Sequence, residues 1–261
     1  MFWIKREKKR GQASYFVLAG IIVFMVLAVL VFIFSTEQVK SKVKFENLEL
    51  PIKIEDVERT IDSCLKKLTE TAINSIAFNG GFIDIRNSPI EPLGFYFPGT
   101  KSKAKVAYGL FNDNIVLISE EGFKYQLKEY LRYEVPLCSF PNGFKSNVKQ
   151  SDINVDVKIS PGFVDIEMNY PLVLKVGDLN AKTKETYKLK LKSNIGEMRN
   201  VAEEIVKQQK KYNGQIEISN ILSFGYDIKV IPIDKNTSVI MIYDKGSTGL
   251  IFMFGSKNKN E

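Results

Sequence analysis

From Tyr15 to Phe34 the chain reads YFVLAGIIVFMVLAVLVFIF, twenty residues without a charge or a strongly polar side chain. A helix of that length rises about 30 Å, the thickness of a bilayer's hydrocarbon core. No other segment of the chain approaches this length and hydropathy, so the sequence predicts a single transmembrane helix. Lys5, Arg6, Lys8, Lys9 and Arg10 crowd its N-terminal flank, whereas Lys40, Lys42 and Lys44 on the other side are diluted by Glu37, Glu46 and Glu49. The excess of positive charge before the helix keeps the first residues in the cytoplasm and sends everything after about Ser35 outside.

The apolar run is too long for a secretory signal peptide, and it is followed by STEQVK where a small-x-small cleavage site would stand. Cleavage before the helix is a different matter. Lys9-Arg10-Gly11-Gln12-Ala13-Ser14 leads directly into the apolar run and resembles the class III signal peptide of archaeal pilins and pilin-like surface proteins. The resemblance implies a prepilin peptidase as partner, cutting between Gly11 and Gln12, and a freed helix that packs against other pilin-like subunits. Phe16 stands where many members carry a Glu associated with filament register, so the resemblance implies processing more directly than polymerisation. It covers about 25 residues at the N-terminus and extends to large exported archaeal proteins with a similar head and a sizeable folded part. A plain signal anchor, with membrane lipid as its only partner, is the alternative.

Charge and composition exclude several functions. Of 37 basic and 30 acidic residues, five and one lie in the first ten positions. The rest of the chain is then close to neutral, with both signs interspersed, so no nucleic-acid partner is expected. The chain has no histidine, which removes the commonest general base, nucleophile partner and metal ligand.

Residues 37–53 are polar and lysine-rich and read as a stalk. Ile54, Val57, Ile61, Cys64, Leu65, Leu68, Ala72, Ile73 and Ile76 then recur at helical spacing, closed by Asn79-Gly80-Gly81. Short apolar runs follow, FIDI (82–85), AKVAYGLF (104–111) and NIVLIS (114–119), and are predicted as strands; 120–134 is a second helix. CSFPNGFKSN (138–147) is turn-rich and marks an expected internal boundary. Beyond it the period becomes two, in INVDVKI, FVDIEMNY, LVLKV and TYKLKLK, before a third helix over 195–212. YDIKVIPI, SVIMIYD and GLIFMFG are predicted as the closing strands, and SKNKNE as a frayed tail. The expected organisation is a leader (1–11), a membrane helix (12–36), a stalk (37–53), two subdomains (54–146 and 147–255) and a tail (256–261). The fold class is α+β with mostly antiparallel sheet, in an extracytoplasmic position.

Few residues carry specific chemistry. Cys64 and Cys138 both fall on the predicted outer side, where disulfides persist, and the sequence leaves open a bond between them or two unpaired core thiols. Ser63-Cys64-Leu65-Lys66 matches the S-x-x-K of penicillin-recognising enzymes in form only, since no K-T-G follows. Asn236-Thr237-Ser238 is a candidate glycosylation acceptor in a polar turn. Asp113, Glu120 and Glu121 lack the spacing of a calcium loop. No catalytic, cofactor or metal site is expected. The sequence thus points to a structural or interaction subunit at the cell membrane, cytoplasmic at its N-terminus, with a membrane-tethered ligand-binding module as the second reading.

Overall fold

A computed structural model of the chain describes residues 54–97, 99–139, 152–176, 179–216, 224–246 and 249–259. The expected membrane helix, its leader and the stalk, including Gly11 and Gln12, lie outside these. Among the described residues no helix is long and apolar enough to cross a membrane. Ile52–Glu261 forms one compact unit of helices and mostly antiparallel sheet.

The three helices follow from their apolar spacing. Helix α1 (Ile54–Phe78) buries Val57, Ile61, Leu65, Ala72, Ile73 and Ile76 along one face and carries Glu55 and Asp56 in its first turn, where the helix dipole favours acids. Its end is a Schellman turn: Gly80 takes φ +76°, and the Gly81 amide donates to the Ile76 carbonyl at 2.7 Å. A Cβ at Gly80 would stand 2.8 Å from the Ala107 carbonyl oxygen. Gly80→Ala is therefore expected to lower stability on the order of 3 kcal/mol, from left-handed strain plus forced displacement of Ala107. Chemical denaturation of the Ile52–Glu261 unit measures it, and a loss within experimental error would show the turn to be dispensable.

Helix α2 (Glu120–Glu134) starts at Ser119, whose hydroxyl accepts from the Gly122 amide at 3.1 Å, and buries Phe123, Leu127 and Leu131. Helix α3 (Ile195–Lys211) buries Met198, Val201, Ala202, Ile205 and Val206, with Glu197 in its first turn and Lys210 and Lys211 in its last.

Strands β1 (Leu93–Tyr96) and β2 (Lys103–Val106) make a hairpin. Strands β3 (Tyr108–Phe111) and β4 (Asn114–Ile115) join through Asn112 and Asp113 at φ 49° and 65°, the left-handed pair of a tight hairpin turn. β5 (Asn154–Ser160), β6 (Phe163–Asn169) and β9 (Thr186–Lys192) form a three-stranded antiparallel sheet, and β7 (Val173–Val176) pairs with β8 (Leu179–Lys182). β10 (Asp227–Pro232), β11 (Thr237–Tyr243) and β12 (Ile251–Lys257) complete a five-stranded sheet in the order β10-β11-β12-β3-β4.

The five-stranded sheet is covered on both faces. Ile240, Ile242, Phe252 and Phe254 point into the main core beneath the helices, while Val239, Met241 and Met253 point the other way, against Phe95 and Val106 of the β1–β2 hairpin. That double burial explains why β11 reads as an unbroken apolar run. The three-stranded sheet buries one face, Val155, Val157, Val164, Ile166, Met168 and Tyr187, and leaves Asp156, Glu167, Lys158 and Lys188 on its outer face. Helix α1 touches β12 of one sheet and β9 of the other, and α2 packs on β5.

Several expectations need correction. FIDI is not a strand: the Ile83 amide donates to Gln126 Oε1 at 3.0 Å, its carbonyl accepts from Asn79 Nδ2 at 3.1 Å, and a 3₁₀ turn follows at Ile85–Asn87. Side-chain amides there replace a ladder. AKVAYGLF is two strands, because the chain leaves one sheet for another at Ala107, whose amide donates to the Asn79 carbonyl and whose carbonyl accepts from Gly255. Of NIVLIS only Asn114 and Ile115 are extended in a ladder. The tail begins later than 256, since Ser256 is buried and Lys257 still pairs with Thr237. The segments 54–146 and 147–255 are not side-by-side subdomains: β3 lies parallel to β12, and one core joins residues from both.

Candidate functional site

The exposed side of α1 changes character at Glu70. Before it stand Glu55, Asp56, Glu58, Arg59, Asp62, Lys66 and Lys67; after it, to Asn79, the helix has no charge. Thr71, Asn74, Ser75, Phe78 and Asn79 fall three or four residues apart there, on one face. The start of β12 runs alongside, and Gly249, Leu250 and Ile251 supply the second wall of an open groove of about 480 Å³. A second depression, about 350 Å³, continues past Asn74 and Leu250 and is bounded by Glu70, Ile73, Leu191, Lys192 and Ser193. Each is within the size range of small-molecule sites.

The polar groups of this groove are only partly engaged. Thr71 donates its hydroxyl to the Lys67 carbonyl at 2.8 Å, and Asn79 Nδ2 is held by Ile83, leaving Oδ1 as an acceptor. Asn74 and Ser75 also line the groove, and among the described residues their side chains make no hydrogen bond. At its end Phe78 is 41% exposed, but its ring is fixed from behind: Phe97 lies 5.9 Å away, centroid to centroid, and Phe95 lies 5.1 Å from Phe97. The exposed aromatic surface is thereby backed by two further rings.

Titratable groups shifted from their ordinary values lie elsewhere and have structural causes. Burial pushes the Tyr187 phenol up to about 12. Burial and the Glu197 carboxylate, which accepts from its hydroxyl at 2.9 Å, raise that of Tyr226. Hydrogen bonds from Arg86 hold Asp84 down at about 2. None of these three residues lines the groove.

Cys64 and Cys138 form a disulfide, with Cα atoms 6.4 Å apart, within the usual range. Cys64 is on α1 and Cys138 follows the 3₁₀ turn Val135–Leu137 that ends α2, so the bond clamps the two helices. A shallow depression beside it is bounded by Arg59, Thr60, Ser63, Cys64 and Lys67. Ser63 and Lys66 stand on the exposed face of α1. Asn236 is half-buried in the turn between β10 and β11, where Asp234 Oδ1 accepts from the amides of Asn236 and Thr237 at 2.8 Å. Ser238, the hydroxyl residue of that sequon, is already paired within β11. Asp113 belongs to the β3–β4 turn, and Glu120 and Glu121 pair with Lys124. Among the described residues no three His, Cys, Asp or Glu side chains converge as metal ligands.

The groove was not singled out from the sequence. The available signal was the halt of charge at Glu70 on an otherwise charged helix face; what the sequence could not supply was the wall from β12, more than 170 residues away. Comparison with models of known families, with curated proteins and with solved structures finds no match.

Proposed function

We propose that the chain is a single-pass, membrane-anchored surface protein, a pilin-like or pseudopilin-like structural or interaction subunit that carries its α+β unit on the outer side and does no catalysis. The observation that supports this most is the Cys64–Cys138 disulfide. Such bonds persist in oxidising compartments. This one lies in the part of the chain that the lysines and arginines before Tyr15 send outward. Gly11-Gln12 after Lys9-Arg10 supports processing by a prepilin peptidase and delivery to an assembly, whereas Phe16 favours an anchored subunit over a filament component.

The mature N-terminus tests this. Mass spectrometry of the protein taken from its native membrane is expected to find a chain beginning at Gln12. A chain that still begins at Met1 or Phe2 leaves only a plain anchor.

A second reading, a membrane-tethered ligand-binding module, is favoured by the groove along α1, lined by Asn74, Ser75 and the exposed ring of Phe78.

A further inference from the structure

We propose that the groove between α1 and the start of β12 binds a neutral carbohydrate chain, an inference that rests on the ligand-binding reading and adds the chemical class of the ligand. Four observations lead to it.

The first is charge. The larger part of the groove has no ionisable side chain among its described lining residues, and Glu70 and Lys192 at the far end carry opposite charges. A phosphate, a carboxylate ligand or a metal ion finds no counter-charge there.

The second is hydrogen-bonding type. Asn74 offers two donors and an acceptor on one planar amide, Ser75 a hydroxyl that serves either way, and Asn79 its side-chain Oδ1 as an acceptor. Neighbouring hydroxyls on a sugar ring present donors and acceptors in alternation, which an amide meets two at a time.

The third is the aromatic end. Phe78 stands one helical turn, about 6 Å, beyond Asn74. A pyranose has an apolar face of C–H groups as well as a polar rim. A ring whose rim reaches Asn74 and Ser75 can lay that face on the exposed ring of Phe78, which Phe97 backs from the other side.

The fourth is length. From Thr71 to Phe78 the helix rises about 10 Å, which matches a short stretch of glycan. An extended peptide draws main-chain hydrogen bonds from a free sheet edge, and the helical wall, whose backbone is internally bonded, offers none.

The test is titration of the full-length protein in lipid nanodiscs with neutral hexasaccharides of glucose, mannose and N-acetylglucosamine, followed by calorimetry and by saturation-transfer NMR. At least one is expected to bind. Asn74→Ala and Phe78→Ala, both at solvent-facing positions, are each expected to weaken it by roughly five- to tenfold, the loss of one neutral hydrogen bond or one apolar contact. Lys188→Ala on the outer face of the three-stranded sheet is expected to leave it unchanged. Raising salt to about 0.5 M is expected to have no effect, since no ion pair is involved. Absence of binding to all three sugars, binding that survives both groove substitutions, or binding that collapses with salt overturns the proposal. Binding of a serine- and glycine-rich peptide, lost in the same two variants, would overturn the carbohydrate assignment while leaving a ligand site in place. The state of the N-terminus does not enter any of these outcomes, so they fail separately from the anchored-subunit reading.

Discussion

Reduction of the Cys64–Cys138 bond is expected to lower the unfolding free energy of the Ile52–Glu261 unit by about 4.5 kcal/mol, with the native fold retained. The two cysteines are 74 residues apart, so the bond closes a long loop and removes much of the conformational freedom of the unfolded chain. Neither cysteine belongs to the fully buried core, which keeps Leu65, Leu131 and Val135 when both are replaced with Ala; the change acts mainly on the unfolded state. Against a total stability of about 5–15 kcal/mol for a domain of ordinary kind, this is a large share. Urea denaturation of the oxidised unit, the reduced unit and the Cys64→Ala/Cys138→Ala variant should show equal losses in the last two and a steeper denaturant dependence, because the reduced chain exposes more surface when it unfolds. A loss below about 1 kcal/mol would mean that α1 and the end of α2 stay together in the unfolded ensemble without the bond.

What the sequence reveals and what it hides divide along the range of the interactions. The three helices are legible within a residue or two because each carries its own apolar stripe and its own start or stop signal: Asn79-Gly80-Gly81 ends α1, Ser119 begins α2, and the lysines at 210 and 211 close α3. TYKLKLK is legible as β9 for a similar reason, since Lys188, Lys190 and Lys192 alternate with Tyr187, Leu189 and Leu191. FIDI misleads because its pattern is that of a strand while its hydrogen bonds go to Gln126, 43 residues from Ile83, and to Asn79. AKVAYGLF misleads because nothing local marks Ala107 as the point of departure; the marks are Asn79 and Gly255, remote in the chain. Gly255 itself has a purpose visible only in three dimensions, for a Cβ there would stand 3.0 Å from the Tyr108 ring. The candidate site follows the same division, its α1 wall readable as a neutral stretch of helix and its β12 wall not readable at all.

The expected boundary near 138–147 leads to the largest effect of all. If 54–146 and 147–255 were separate subdomains, each would fold when made alone. The sheet order β12-β3-β4 makes that impossible without exposing both halves of the core. In a fragment ending at residue 146, β3 loses its partner β12 and keeps only β4, α1 loses β12 and β9, and α2 loses β5. In the complementary fragment Ile240, Ile242, Phe252 and Phe254, all fully buried in the whole unit, face water, as do Val164 and Ile166. At roughly 25 cal/mol per Å² of apolar surface left uncovered, neither piece recovers enough burial to offset the ordering of about 100 residues. Each fragment is therefore expected to give a collapsed amide proton spectrum and weak far-UV dichroism. Mixing them should restore the native spectrum, since the surfaces that meet are those of one core. The disulfide cannot assist, as both cysteines lie in the first fragment. Recovery is then a direct measure of the noncovalent interface. A dispersed, native-like spectrum from either fragment alone would show that the boundary read from the turn-rich stretch was the right one and that the pairing of β3 with β12 contributes little to stability.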